Sequence, residues 1–288
     1  MPRVRLVTDL GPNGPRPGAL AGEGRVVDLS AVAASVEALI AAGPHAWDKA
    51  RSLAADGPRT ALGPLLAPLR PASLRDFLAF EDHAQGGAKR RGEQLNPAWY
   101  EAPVYYKGNH RSIVGPDTDV TWPAFSEQLD FELELACVIG VAARDLTVRA
   151  AEAAIFGYTI MNDWSARDVQ RAEMAMRLGP SKSKDFATSL GPCIVTADEI
   201  DPRNGLAMIA RVNGEVWCEA SSAGMHWTFP AMIAHVSRGE DIYPADVYGS
   251  GTPFGGCGLD RGRWLQPGDV VELGVEGIGV LRNAVVRG

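Results

Sequence analysis

The sequence predicts a β-rich α+β protein, on three observations. Short runs of alternating or wholly apolar residues, separated by Gly, Pro and Asn turns, recur from about residue 74 to the end. Few stretches with a helical period interrupt them. The first 70 or so residues carry a strand and helix pattern of their own, closed by the proline-rich run LGPLLAPLRPAS over 62–73. The chain therefore divides into a small N-terminal α/β unit, 1–72, and a larger domain, 73–288.

Within the first unit RVRLVTDL and RVVDLS read as strands about a GPNGPRPG turn. Ser30 is placed to cap a helix AVAASVEALIAA that Gly43 and Pro44 stop, and HAWDKARSLAA reads as a second helix. Beyond the proline run, SLRDFLAFEDHAQ reads as a short helix or turn. GGAKRRGEQLNPAWYEAP reads as a long loop, of a length that usually carries function. PVYYKGN, DVTWP, LDFELELACVIG and TIMND read as strands. VRAAEAAIFG is a helix capped by Thr147, and SARDVQRAEMAMRLG one opened by Ser165. GPCIVTADE, a hairpin turning at Asn213-Gly214, DVVELGVEG and GVLRNAVV complete the strands, and FPAMIAHVSRG is an amphipathic helix.

Composition narrows the function. Apolar residues make up 46% and charged residues 22%, a globular balance that excludes disorder as the main state. A net charge of −7 argues against a nucleic-acid binder. The one basic cluster, Lys89-Arg90-Arg91, reads as a solvated loop or one that faces an anionic substrate. No stretch approaches the roughly 20 apolar residues of a membrane span, and the N-terminus shows no signal-peptide core. The four cysteines, Cys137, Cys193, Cys218 and Cys257, form no CxxC pair. Free thiols in a reducing cytoplasm are expected.

The stretch LDFELELACVIG over 129–140 poses the chemical question. Phe131, Leu133 and Leu135 alternate on one strand face, while Asp130, Glu132 and Glu134 occupy the other. Side chains two apart on a strand lie about 6.5–7 Å apart, and two carboxylates that close repel unless water or a cation screens them. A solvated edge strand is one reading; a divalent cation held by Glu132 and Glu134, with further acids from elsewhere, is the other. Asp163 ends an apolar strand, where an N-cap is the ordinary role, but Ser165 can serve that end instead. Asp76 on local grounds is a solvated or capping residue. His83 follows it by seven residues and precedes the glycine-rich segment, though a lone histidine is more often structural. Lys184 lies in the polar run LGPSKSKDFATSLGP, and GSGTPFGG over 249–256 could bring backbone N–H groups close to an oxyanion.

Taken in order, LDFELELACVIG, MNDWSARDVQ, KDFAT at 184–188, GSGT and WLQPGDVVELGVEGIGVLRN resemble the fumarylacetoacetate hydrolase family over roughly residues 74–288. The N-terminal unit resembles the accessory domain of many bacterial members. The resemblance implies a mixed β-sandwich or β-roll catalytic domain, usually a homodimer. It implies that Glu132, Glu134 and Asp163 hold Mg²⁺, Mn²⁺ or Ca²⁺, with Asp76 as a fourth carboxylate seven residues before the catalytic His83. Lys184 matches the active-site lysine, and Tyr106, Arg167, Gln170 and Thr252 match substrate-side positions. Where the family often orients its histidine with a glutamate, this chain has Asp260, one methylene shorter.

The family's substrates share a 2-oxo acid or 1,3-dicarbonyl unit. The leading expectation is metal-dependent hydrolysis of a C–C bond in an acylpyruvate-like 2-oxo acid. The alternative is isomerase or decarboxylase action on a small 2-oxo acid, such as 2-hydroxyhepta-2,4-diene-1,7-dioate or oxaloacetate, in aromatic catabolism. A non-catalytic protein stabilised by its metal would have no use for His83, Lys184 and Asp260. No nucleic acid or membrane partner is expected.

Overall fold

The computed structural model describes residues 4–288. The protein is mixed α+β and strand-rich. Its large sheet runs in the order Arg59–Ala61, Arg25–Asp28, Gly14–Leu20, Arg5–Gly11, Thr188–Thr196, Ile155–Asp163, Leu133–Ile139, Val247–Gly249, Leu74–Phe77 and Tyr105–Gly108. A second sheet orders Glu215–Ser221, Ala207–Val212, Val270–Val275, Gly279–Arg287 and Val120–Trp122. Most neighbours are antiparallel; Val247–Gly249 pairs parallel with Leu74–Phe77, and Gly279–Arg287 with Val120–Trp122. No helix of the described residues is long and apolar enough to cross a membrane.

Strand Leu133–Ile139 sits in the middle and is buried along its whole length. Its odd-numbered residues, Leu133, Leu135, Cys137 and Ile139, join an apolar cluster with Met208, Leu273 and Leu281 of the second sheet. Its even-numbered Ala136 and Val138 face the other way, into a cluster with Val36, Leu39 and Ile40 of the N-terminal helical segment. A strand covered on both faces reads as an unbroken apolar run, which is why ACVIG loses the alternation that precedes it. The N-terminal strands hydrogen-bond directly into the large sheet, with Arg5 opposite Val195 and Leu6 opposite Ile194.

Several expected elements shift. The capping serine of the first helix, Val36–Ala41, is Ser35 and not Ser30; its hydroxyl accepts from the Ala38 N–H. GPNGPRPG is largely a strand, Gly14–Leu20, because Pro15 and Pro17 lie where their missing N–H groups are not needed by the ladder. Asp76 lies on a strand, Leu74–Phe77; the expected long loop opens on the last turn of a helix, Glu81–Arg90, and later holds a 3₁₀ turn at Pro97–Tyr100. Thr147 caps its helix as expected, but the helix ends at Glu152, and Ile155 already begins the next strand. Ser165 does not cap: its hydroxyl donates to the Asp163 carbonyl, and the helix Arg167–Ala175 has no side-chain cap. LDFELELACVIG is two strands, Leu129–Asp130 and Leu133–Ile139, broken where Glu132 bridges to Cys257.

Candidate active site

The acids cluster because three strands of the large sheet aim them the same way. Glu134 continues the even-numbered face of Ala136 and Val138, Asp163 the face of Met161, and Asp76 the face of Leu74. Between the first and third of these strands runs Val247–Gly249. A Cβ on Gly249 would come within 2.1 Å of Met161 Cε, 2.6 Å of Asp76 Oδ1 and 2.7 Å of Glu134 Oε2. Glycine at that position is what lets the two carboxylates converge across an intervening strand. Tyr106 lies directly opposite Asp76 in the adjoining pair and therefore on the same face; its hydroxyl donates to Asp163 Oδ2 at 2.8 Å.

Asp76, Glu132, Glu134 and Asp163 are all buried, and one carboxylate oxygen from each lies within 4.8 Å of the others. Lys184 is buried among them, with its ammonium 2.8 Å from Glu132 Oε2 and hydrogen-bonded to Asp163 Oδ2. Arg167 donates to Glu132 Oε1 at 2.7 Å, to Asp130 Oδ2 at 2.8 Å and to Gln170 Oε1 at 2.9 Å. The Gly251 N–H points at Asp76 and Glu134. The Thr252 hydroxyl oxygen is buried nearby in sequence with no partner.

The charges do not balance within the protein. Five buried carboxylates, counting Asp130, face two buried cations. Burial, reinforced by Asp163, holds the Asp76 carboxyl well above the usual range; burial, reinforced by Asp76, does the same to Glu134. Asp163 is raised by burial in spite of Lys184. Glu132 alone goes down: burial opposes it, but Lys184 and Arg167 outweigh that cost. The Lys184 ammonium, which burial alone would weaken, is held above its ordinary value by Asp163 and Glu132. Glu134 Oε1 and Asp163 Oδ1 are buried without any hydrogen-bond partner. Orphaned anionic oxygens cost free energy unless something positive meets them. All-oxygen donors with a negative surplus are the set that a hard divalent cation takes, so Asp76, Glu132, Glu134 and Asp163 fit such an ion.

A second pole adjoins this one. His83, from helix Glu81–Arg90, lies 2.9 Å through Nδ1 from Asp260 Oδ2, and Asp260 comes from the one-turn helix Gly258–Arg261. Asp260 is held below the usual carboxylate range although burial opposes it, chiefly by the bond to His83 and its charge. The segment bearing Asp260 abuts the acids: the Leu133 N–H donates to the Gly256 carbonyl, and His83 helps keep Glu132 ionised.

Two residues of this region lie outside the sequence-based set. Asp130 was grouped with Glu132 and Glu134 on a solvated or metal-facing edge. It is instead fully buried, accepting from Arg167 and from the N–H groups of Gly258 and Leu259 that open the helix carrying Asp260. Arg90, read as part of a basic loop, is helical and pairs with Asp260 Oδ1 at 2.6 Å. Nothing local distinguishes Asp130 from the two acids that follow it at 132 and 134, and nothing local signals Arg90.

The family model for the fumarylacetoacetate (FAA) hydrolase C-terminal domain matches residues 73–286. The chain belongs to the fumarylacetoacetate hydrolase family. It is 30% identical over 279 residues to the oxaloacetate tautomerase YisK of Bacillus subtilis, an alignment covering 91% of this chain and 90% of that one. Among solved structures, a fumarylacetoacetate hydrolase from psychrophilic Exiguobacterium antarcticum superposes with a TM-score of 0.82 at 30% identity, covering 99% of this chain and 100% of that one. A 2-hydroxyhepta-2,4-diene-1,7-dioate isomerase from Mycobacterium marinum gives 0.73 at 27% identity, covering 99% and 98%. Relatives of this family member thus carry names for hydrolysis, isomerisation and tautomerisation, and enzymatic function is common to them.

Proposed function

We propose that this protein is a divalent-metal-dependent enzyme that interconverts the keto and enol forms of a small 2-oxo dicarboxylic acid of the oxaloacetate class. The observation that carries the metal and the enol chemistry together is the cluster of four buried carboxylates, two with orphaned oxygens, set beside a histidine–aspartate pair. The choice of tautomerisation over hydrolysis rests on the Bacillus relative, which aligns along nearly the whole chain. Asp76, Glu132, Glu134 and Asp163 would hold the ion, which supplies Lewis-acid charge to the oxygens of a 2-oxo acid.

The protein's own groups do the rest. With Nδ1 committed to Asp260, the His83 ring presents Nε2 as the atom that takes a proton from, or returns it to, the carbon next to the carbonyl. Lys184 is charged over the working pH range and adds positive potential where an enolate oxygen develops. Arg167 keeps Glu132 ionised and fixed. Thr252 Oγ1 is free to donate to a substrate carboxylate.

The assay follows the loss of enol absorbance when freshly dissolved oxaloacetate equilibrates, with Mg²⁺ or Mn²⁺ and increasing enzyme. A rate proportional to enzyme, abolished in His83→Ala, is expected. Hydrolysis of an acylpyruvate is the second reading, favoured by the likeness to the Exiguobacterium hydrolase, since the same His83 could activate water. Release of pyruvate from an acylpyruvate with no acceleration of the oxaloacetate equilibrium would replace the first reading by the second.

A further inference from the structure

Helix Glu81–Arg90 contains Gly86 and Gly87, although glycine in a helix interior is unfavourable. The packing accounts for Gly86, which the Phe254 ring crowds, while Gly87 has room for a Cβ. A Cβ on Gly86 would lie 3.0 Å from the Phe254 ring and 3.5 Å from Arg90 Nη1, and one on Gly87 3.8 Å from Arg90 Nη2. The Arg90 side chain therefore lies back along a glycine face of its own helix. Arg90 follows His83 by seven residues, two turns, so both side chains leave the same side and meet the same carboxylate. His83 Nδ1 and the Gly255 N–H, at 2.9 and 2.8 Å, engage Asp260 Oδ2, and Arg90 Nη1 engages Oδ1 at 2.6 Å. The Asp260 side chain is wholly buried, whereas that of Arg90 is 33% exposed.

We infer that Arg90 is a positioning residue: it fixes the short Asp260 side chain for His83 and, by sharing that carboxylate, makes His83 a weaker base than an unshared aspartate would. This rests on reading His83 as the proton carrier. A carboxylate beside an imidazole favours the imidazolium, and a guanidinium on its other oxygen offsets that field. The other charged groups facing the pair are Arg261, whose Nε donates to the Gly255 carbonyl at 3.5 Å, and Glu132, which His83 helps keep ionised; burial pushes the thiols of Cys257 and Cys218 up. Of the two guanidiniums, Arg90 is the one ion-paired with the Asp260 carboxylate.

Two groups on opposite oxygens of one carboxylate lie roughly 5–7 Å apart, and their interaction in a partly exposed setting is worth about 0.5–1 pH unit. The experiment titrates the His83 imidazole by ¹H–¹⁵N NMR in the full chain with Mg²⁺ present. It compares the parent with Arg90→Gln and Arg90→Lys, each first checked for unchanged circular dichroism. Arg90→Gln should move the His83 midpoint up by about 0.5–1 unit, with the alkaline displacement repeated in the kcat/KM profile. Arg90→Lys should restore the parent midpoint. An unmoved or lowered midpoint in Arg90→Gln overturns the proposal. The titration needs no substrate, so a parent enzyme inert toward oxaloacetate would sink the functional reading and leave this result standing by itself.

Discussion

Replacing Glu134 with glutamine tests the charge argument where it is sharpest. In the metal-free protein Glu134 is buried against Asp76, Asp163 and Glu132, and one of its oxygens has no partner. Carboxylate oxygens within 4.8 Å of each other repel by about 3.5 kcal/mol or more per fully ionised pair at an effective dielectric of about 20. Lys184 and partial protonation remove much of that, so neutralising one member should stabilise the metal-free fold by about 1–3 kcal/mol. Glutamine keeps the shape, and its carbonyl can still accept the Gly251 N–H that Glu134 Oε2 accepts at 3.0 Å. A chain of 288 residues unfolds with an entropy of about 0.6 kcal/mol/K, so Tm in EDTA should rise by about 2–5 °C. The parent should instead gain from the ion: Mg²⁺ at about 100 times Kd adds about 2.7 kcal/mol, or about 4–5 °C, most of which Glu134→Gln should lose. The sign with pH follows from the raised carboxyl. The folded state binds the Glu134 proton more tightly than the unfolded chain, whose value is near 4.3, so the metal-free parent loses stability as pH rises from there through the raised folded value. Glu134→Gln should flatten that decline. Differential scanning fluorimetry in EDTA and in Mg²⁺ reads all of this. A variant that melts below the parent in EDTA and responds equally to Mg²⁺ would refute the electrostatic account of the cluster.

Other outcomes follow from the same geometry. His83→Ala should abolish turnover yet keep the parent's Mg²⁺ thermal shift, because His83 belongs to the second pole; loss of both would merge the two poles into one. Asp130→Asn breaks a buried ion pair with Arg167 and should cost about 3 kcal/mol, a fall of about 5 °C in Tm by calorimetry; an unchanged Tm would mean that Glu132 alone satisfies Arg167. Burial pushes the thiol of Cys193 up to about 12 and that of Cys218 up to about 11. With Cys137 and Cys257 also buried, an Ellman titration at pH 8 should find no fast-reacting thiol until denaturant is added.

What the sequence revealed and what it hid divide along a physical line. Glu134 and Asp163 were legible because each sits at the end of an apolar run, where period-2 alternation states which way a side chain points. The Asn213-Gly214 hairpin was legible because both residues adopt positive φ, 53° and 80°, as a tight turn demands. The break at Phe131–Glu132 was not, since it depends on a bridge to Cys257, 125 residues later. Nor was the pairing of Arg5–Gly11 with Thr188–Thr196, which leaves no periodic mark in either segment. Arg90 reads as one charge in a basic loop because its helix is carried through two glycines, of which Gly86 is explained by the Phe254 ring, 168 residues away.

The two poles are more than neighbours, and the link runs through the acid that alternation misplaced. Arg167 donates to Glu132 with one nitrogen and to Asp130 with another. Asp130 in turn accepts the first two N–H groups of the one-turn helix that delivers Asp260 to His83. A helix that short has almost no stability of its own and takes its position from whatever satisfies its free N–H groups. The carboxylate that orients the base is therefore seated by a hydrogen-bonded chain whose far end is Glu132, one of the four acids of the cation cluster. This explains why an aspartate stays buried at 130 at the cost of desolvation, where an apolar residue would pack more cheaply. It also explains why an aspartate can serve at 260: the helix is pinned on one side by Asp130 and the carboxylate on the other by Arg90, so the shorter side chain meets His83 without needing the reach of a glutamate.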